Sequence, residues 1–284
     1  MDFHKVTIIG VGLMGGSFAL ALKESGFKGR VAGVGRKKDN LIKAKSLGII
    51  DEYSTDPAVG VKDADLVLLA PPPGQFQAIA EDIKGRLKAG AIVTDVGSVK
   101  GEIVNRLETL MPEGVSFVGG HPIAGKESSG VDGADARLFR DARCIITPTR
   151  NTDGSALENV VELWETLGCK VSLMTPEEHD MIFAAVSHMP HVLAYVLVNA
   201  IMDIKEDILR YGGSGLKDMT RIALSSAELW SDICSCNREA VLKALKGFSS
   251  SLTHTIELIE RSDWASLEKE FKKAKKRRQL LESD

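Results

Sequence analysis

Four short motifs in this sequence combine residue types that can move a proton or grip an anion. In Val118-Gly119-Gly120-His121-Pro122-Ile123-Ala124-Gly125, a histidine framed by glycines and a proline follows an apolar run, which places it at a strand end in a rigid turn. Imidazole is the side chain best suited to accept a proton near neutral pH. In Asp95-Val96-Gly97-Ser98-Val99-Lys100, two readings of Ser98 are open. It caps a helix over Val99–Leu110, or it joins Lys100 where ligands bind beyond a strand end. His188 and His191 in Ser187-His188-Met189-Pro190-His191 are three apart and share a helix face. Pocket lining suits them better than metal binding, because no H-E-x-x-H pattern or third ligand accompanies them. Asp218 and Arg221, also three apart, either pair on the surface or fix a guanidinium for bidentate contact with a carboxylate. Trp230 walls the same pocket or fills core.

The elements that must position these residues begin with Lys5–Ser17. Val6, Ile8 and Ile9 form a β-branched run, Gly10-Val11-Gly12-Leu13-Met14-Gly15 supplies G-x-G-x-x-G, and Phe18–Leu22 continues as helix. A strand that ends in this turn and opens a helix offers bare N–H groups and a positive helix end to a pyrophosphate. Gly10 permits the turn, Gly12 the approach of the phosphate, and Gly15 close packing of helix on strand. Strand runs at Val31–Val34, Asp65–Ala70, Ala91–Asp95 and Val115–Val118 alternate with helical stretches. Pro71 ends the Asp65–Ala70 run. Near-continuous apolar strands in repeated βα units predict a parallel sheet covered on both faces. Cys144–Pro148 and Lys170–Leu173 add two more strands, and nearly everything from Pro176 onward reads as helix. Met181–Met202 is apolar almost all round, as a buried helix of a bundle or dimer interface would be. The predicted architecture is an α/β chain. A Rossmann-type doubly wound sheet (1–174) is followed by an all-helical domain (175–284).

The end of the second strand bears on cofactor choice. Gly35 stands where a carboxylate would bind the ribose 2′-hydroxyl of NAD, and Arg36-Lys37-Lys38 follow. That pattern leans toward the 2′-phosphate of NADP or tolerance of both, unless Arg36 simply stacks on adenine.

The 284 residues carry a net charge of -3, which argues against a nucleic-acid protein. The basic run from Lys272 to Arg278 is flanked by Glu268, Glu270 and Glu282, so it reads as a solvated helix face. Cys144, Cys169, Cys234 and Cys236 make no C-x-x-C pair, which favours idle thiols over a disulfide framework or metal site. The first strand begins at once, leaving no room for a signal peptide. No apolar run reaches the roughly eighteen residues of a membrane span. The expectation is a soluble cytoplasmic protein with neither nucleic-acid nor membrane partner.

Taken in order, VTIIGVGLMGGS, TDVGSVKGE, VGGHPIAGKESSG, VSHMPHVLA and GSGLKDMTRIALS followed by LW resemble the prephenate/arogenate dehydrogenase family of tyrosine biosynthesis over nearly the whole chain. The resemblance implies a homodimer through the helical domain and oxidative decarboxylation of prephenate to 4-hydroxyphenylpyruvate. It makes His121 the acceptor for the ring hydroxyl, with Ser98 its neighbour. His188, His191 and Arg221 become substrate-pocket residues, joined by Glu127, Lys217, Asp218 and Trp230. Gly10, Gly12, Leu13, Met14, Gly15, Arg36, Pro71 and Ser98 are the implied cofactor contacts, for NAD or NADP, with no metal. Neither a chorismate mutase segment nor a regulatory domain is evident, so a monofunctional enzyme is expected. Arogenate is the finer alternative substrate. The rivals are a β-hydroxyacid or imine-type dehydrogenase and a catalytically silent nucleotide sensor.

Overall fold

The computed structural model describes residues 3–126, 130–205 and 207–282. The chain divides into two compact units, residues 1–238 and 239–284.

The first unit is built on one eight-stranded sheet of order β3-β2-β1-β4-β5-β6-β7-β8. Its elements are β1 (Lys5–Ile9), α1 (Leu13–Glu24), β2 (Arg30–Val34), α2 (Lys38–Ser46), β3 (Glu52–Ser54), α3 (Pro57–Gly60), β4 (Leu66–Leu69), α4 (Phe76–Ile83), β5 (Ile92–Asp95), α5 (Gly101–Leu110), β6 (Ser116–Pro122), β7 (Arg143–Thr147), α6 (Gly154–Thr166) and β8 (Lys170–Leu173). Strands β1 to β6 run parallel. The pairing of β6 with β7 is antiparallel, and β8 runs parallel to β7. The three residues of β3 and the single turn of α3 are too short to show a periodicity, although Asp56 caps α3 ahead of Pro57.

Side chains leave alternate faces of a strand, so the apolar runs feed two cores. Val6, Ile8, Leu66 and Leu68 pack with Phe18, Leu22 and Trp164 on one side of the sheet. Ile9, Val67 and Leu69 pack with Phe76, Ala80, Val104 and Leu107 on the other. Leu66 to Leu69 are wholly buried, which is why this strand reads as continuously apolar.

The sheet is followed by α7 (Pro176–Phe183), a π turn (Ala184–His188) and α8 (Met189–Ile204). Thr175 caps α7, accepting from the Glu178 N–H at 3.1 Å, and Pro176 occupies the first turn. The expectation of one helix over Met181–Met202 is corrected. Pro190 sits in the first turn of α8, immediately after the π turn. Met181, Val186, Val196 and Ile204 are exposed on the protomer. The stretch Pro176–Ile204, which contains 18 consecutive residues of mean hydropathy 1.7, is also long and apolar enough by composition to cross a membrane, contrary to the sequence reading. Next come α9 (Ser214–Thr220) and α10 (Ala227–Cys236).

In the second unit, α11 (Arg238–Glu260) leads to α12 (Trp264–Arg278), whose amino end Asp263 caps. The basic run lies on exposed positions of α12, where Lys272 pairs with Glu268 at 2.6 Å and Lys273 with Glu270 at 3.2 Å. All four cysteines are free, with Cys144 and Cys169 buried.

Candidate active site

The strand order reverses direction at β1, and the glycine turn after it lies in the crevice where such sheets bind dinucleotides. Gly10 adopts φ +97°, and a Cβ there would lie 2.8 Å from the backbone of Ala70 and Pro71, so the turn and Pro71 are pressed together. A Cβ on Gly15 would lie 2.2 Å from the Gly10 carbonyl. At Gly12 a Cβ would meet nothing within 4 Å, so open space faces this turn. The N–H groups of Leu13, Met14 and Gly15 open α1 with no carbonyl of their own helix to bond, and no acidic side chain occupies that first turn. Donors, helix end and space together suit a pyrophosphate. Arg36 is exposed just past β2, next to Gly35.

Two strands along, the loop from β5 to α5 is held by buried charge. Both oxygens of the Asp95 carboxylate are used. Oδ1 accepts from Gly120 N at 3.0 Å, and Oδ2 accepts from Gly97 N at 2.8 Å and from the Lys100 ammonium. The Lys100 and Asp95 side chains are wholly buried. Ser98 is not the helix cap, because α5 begins only at Gly101. The cap comes from a distant residue: Asp180 of α7 accepts from Lys100 N and Gly101 N, each at 2.8 Å. Ser98 is left half-buried, and its hydroxyl makes no hydrogen bond among the described residues.

His121 lies inside β6 rather than in a turn beyond it, because β7 pairs with β6 through Pro122. Gly120 is needed beside it, since a Cβ there would lie 2.9 Å from the Asp95 carbonyl. His121 Nδ1 lies 2.8 Å from Nε2 of His179, and His179 Nδ1 lies 2.8 Å from Oδ1 of Asp180. Phe183 stacks on His179 (centroids 4.4 Å apart) and tilts over His121 (4.8 Å). Burial holds the His121 pKa well below the usual histidine value, with His179 and the Lys100 ammonium adding to the effect. His179 is pushed to about 2, chiefly by burial and then by Lys100. Both rings are therefore neutral at pH 7, and a neutral imidazole can accept a proton.

The remaining histidines continue the line. Asn237, the buried residue that ends α10, donates through Nδ2 to the Asp180 carbonyl at 2.9 Å and to His188 Nδ1 at 3.1 Å. His188 is thereby an Nε2–H tautomer, and Nε2 has no hydrogen-bond partner among the described residues. Burial lowers its pKa to about 4, while Asp180 and the adjacent Ser98 main chain pull the other way. His191 donates from Nδ1 to the Ser187 carbonyl at 2.9 Å and stacks on Trp230, with centroids 3.5 Å apart. Trp230 also meets His188 edge-on at 6.0 Å, so it walls the pocket rather than filling core. The Arg221 charge reaches His191 and helps to lower its pKa, after burial.

The structure thus gathers His121, His188, His191, Trp230 and Arg221, with Ser98 against His188. Lys217 and Asp218 are exposed on α9. Glu127 lies outside the described residues. His179, Asp180 and Asn237 escape the sequence reading. The adjacent His179-Asp180 pair just inside a well-capped helix is the one local signal, whereas Asn237 gives none. Among the described residues no group of three potential ligands could hold a metal ion.

Comparison with known proteins accords with this geometry. Residues 18–173 match the family model described as prephenate dehydrogenase, nucleotide-binding domain, and residues 175–273 match prephenate dehydrogenase, dimerization domain. The cyclohexadienyl dehydrogenase of Zymomonas mobilis is 34% identical, over 99% of this chain and 97% of that protein. The crystal structure of prephenate dehydrogenase from A. aeolicus with hydroxyphenyl propionate and NAD+ is 42% identical, covers 99% of both chains and gives a TM-score of 0.94. Synechocystis arogenate dehydrogenase is 31% identical over 98% of this chain and 99% of that one, with a TM-score of 0.82. The nucleotide-binding turn, the histidine line and these likenesses together make the chain a member of the prephenate dehydrogenase family.

Proposed function

We propose that the chain is an NAD-dependent prephenate dehydrogenase of tyrosine biosynthesis, converting prephenate to 4-hydroxyphenylpyruvate and CO2. The observation that carries this reading is a neutral His121 on the strand after the Ser98 loop, joined by hydrogen bonds to a pocket holding His188, His191, Trp230 and Arg221. His121 takes the proton of the ring hydroxyl as that oxygen becomes a carbonyl. Ser98 steadies the same hydroxyl, and Arg221, His188 and His191 hold the dianion, with Trp230 against its ring. Lys217 and Asp218, exposed on α9, stand around the entrance. When bound, the nicotinamide supplies the two-electron acceptor for the carbon that bears the hydroxyl. Loss of the ring carboxylate is driven by aromatisation, which needs no stabilised carbanion.

The cofactor would be held by Gly10, Gly12, Leu13, Met14 and Gly15, with Pro71 and Ser98 along the same edge and Arg36 toward the adenosine. NADP is the second reading, favoured by Gly35 and Arg36 where a carboxylate would select NAD. Arogenate is the second substrate, favoured by likeness to proteins of both kinds. Residues 1–174 form the nucleotide-binding domain and 175–284 the helical domain. The apolar side chains that α7 and α8 leave exposed support a homodimer. Four free thiols suit a reducing cytoplasm. The test is the absorbance of reduced nicotinamide with prephenate and arogenate, each against NAD+ and NADP+. Turnover of prephenate with NAD+ is expected, and no signal from either substrate rejects the reading.

A further inference from the structure

His121 has two nitrogens, and it serves as a base only if the one facing the ligand carries no hydrogen. Its Nδ1 is engaged by His179 at 2.8 Å. What that contact does depends on which partner donates, and the carboxylate at the far end decides it. Asp180 accepts a main-chain N–H at each oxygen, from Lys100 at Oδ1 and from Gly101 at Oδ2. Burial raises the Asp180 pKa, and these two N–H donors together with the buried Lys100 ammonium oppose that rise and favour the charged carboxylate. A carboxylate so surrounded is an acceptor toward its third neighbour, His179 Nδ1 at 2.8 Å. His179 therefore carries its hydrogen on Nδ1 and offers a lone pair at Nε2. His121 must then donate from Nδ1, which leaves Nε2 bare.

We propose that Asp180 and His179 form a tautomer-setting line that presents His121 as an Nε2 base, with His179 a positioning residue rather than a catalytic one. The inference deepens the dehydrogenase reading and rests on it for the substrate. When His121 Nε2 takes the hydroxyl proton, the new imidazolium keeps its Nδ1–H donated to the His179 lone pair, so the positive charge forms against a prepared acceptor. No proton need pass beyond His121. Phe183, stacked on His179 and tilted over His121, keeps water from competing for Nδ1. The charged and titratable groups acting on His121 are His179, Lys100 and His188.

Asp180 has two further reasons to stay in place. Asp180 also caps α5, so the carboxylate that orients His179 is fixed by the loop carrying Ser98. Asn237 holds the Asp180 carbonyl from the opposite side.

The test combines a tautomer measurement with kinetics. Two-bond 1H–15N correlation spectra of the ¹⁵N-histidine-labelled protein without ligand, assigned with His121→Asn, are expected to show His121 as the Nδ1–H form. His179→Leu should abolish that preference and lower kcat by about 10- to 1000-fold, with KM for prephenate within about threefold. His179→Gln, whose amide oxygen can replace the Nε2 acceptor, should recover the Nδ1–H signal and at least about tenfold of the lost kcat. An Nε2–H signal for His121 in the unaltered protein overturns the proposal, as does a His179→Leu enzyme with unaltered kcat. An Nδ1–H signal in a protein that turns over neither prephenate nor arogenate sustains the tautomer line and rejects the assigned function instead.

Discussion

His121 and His179 sit under the ring of Phe183 with their Nδ1 atoms committed to neighbours, whereas His191 lies half-buried against Trp230 with a guanidinium close by. Both groups belong to the first unit, and both keep neutral rings, but for different purposes. Around His121 the contacts are directional hydrogen bonds between buried groups, which fix where a proton can go. Around His191 the contacts are a stacked ring, one main-chain bond and the charge of exposed Arg221, which attract an anion without fixing a proton. Proton transfer depends on orientation and tautomer, while anion binding depends on accessible positive charge.

The contrast is broken most severely by His121→Asn, which keeps a polar side chain of similar reach but removes the base. It should lower kcat by about 10²- to 10⁴-fold and leave KM within a few-fold in steady-state assays. Arg221→Gln should do the reverse. Loss of a charge-assisted contact of about 1.5–3 kcal/mol raises KM for prephenate by roughly 10- to 100-fold with a smaller change in kcat. If the two variants exchange these patterns, the roles of the two groups are exchanged.

Acid sharpens the same difference through stability. His179 at about 2, His188 at about 4 and His121 well below the usual value stay neutral in the folded chain, while the unfolded chain takes up protons from about pH 6.5. Protons therefore favour unfolding across that window. Stability is full above about pH 6.5 and falls as the pH drops toward 4. Carboxylates with lowered pKa, such as Asp51 and Asp65, add their loss only below their ordinary value of 3.8. Thermal midpoints should thus decline by a few degrees between pH 7 and pH 5. A flat profile down to pH 4 would show that the buried rings are not held neutral. The smallest effect is expected at exposed Arg36, where Arg36→Ala should raise KM for NADP+ by about two- to fivefold and that for NAD+ less. An equal change for both cofactors would assign Arg36 to adenine stacking.

Much of the first unit was legible because its signals are local. Val6–Ile9, the glycine turn and Phe18–Leu22 succeed one another within a few residues, and each reports its own geometry. His121 was found from its motif, although the motif suggested a turn where the antiparallel partner β7 extends the strand. Ser98 looked like a cap because it precedes a helix by the right interval. The cap is Asp180, about eighty residues away, and nothing in the sequence near Ser98 records that. The Met181–Met202 stretch was apolar enough to suggest burial, yet hydropathy alone does not tell a core from a face left open on one protomer.

What the sequence determined by itself is the parallel nucleotide-binding frame and the place of the histidine we propose as proton acceptor, because strand runs, glycine turns and the residues at their ends are set by neighbours in the chain. Only the tertiary structure decided which groups meet His121. An unbroken helix would set His179 and His188 about 180° apart, and the π turn between them adds roughly a further 100° of offset to that register. Asp180, Asn237 and the His179 ring then reach their partners across distances that no periodicity encodes. Their hydrogen bonds are set by how α7 packs against the α5 loop, and that packing is a property of the folded chain.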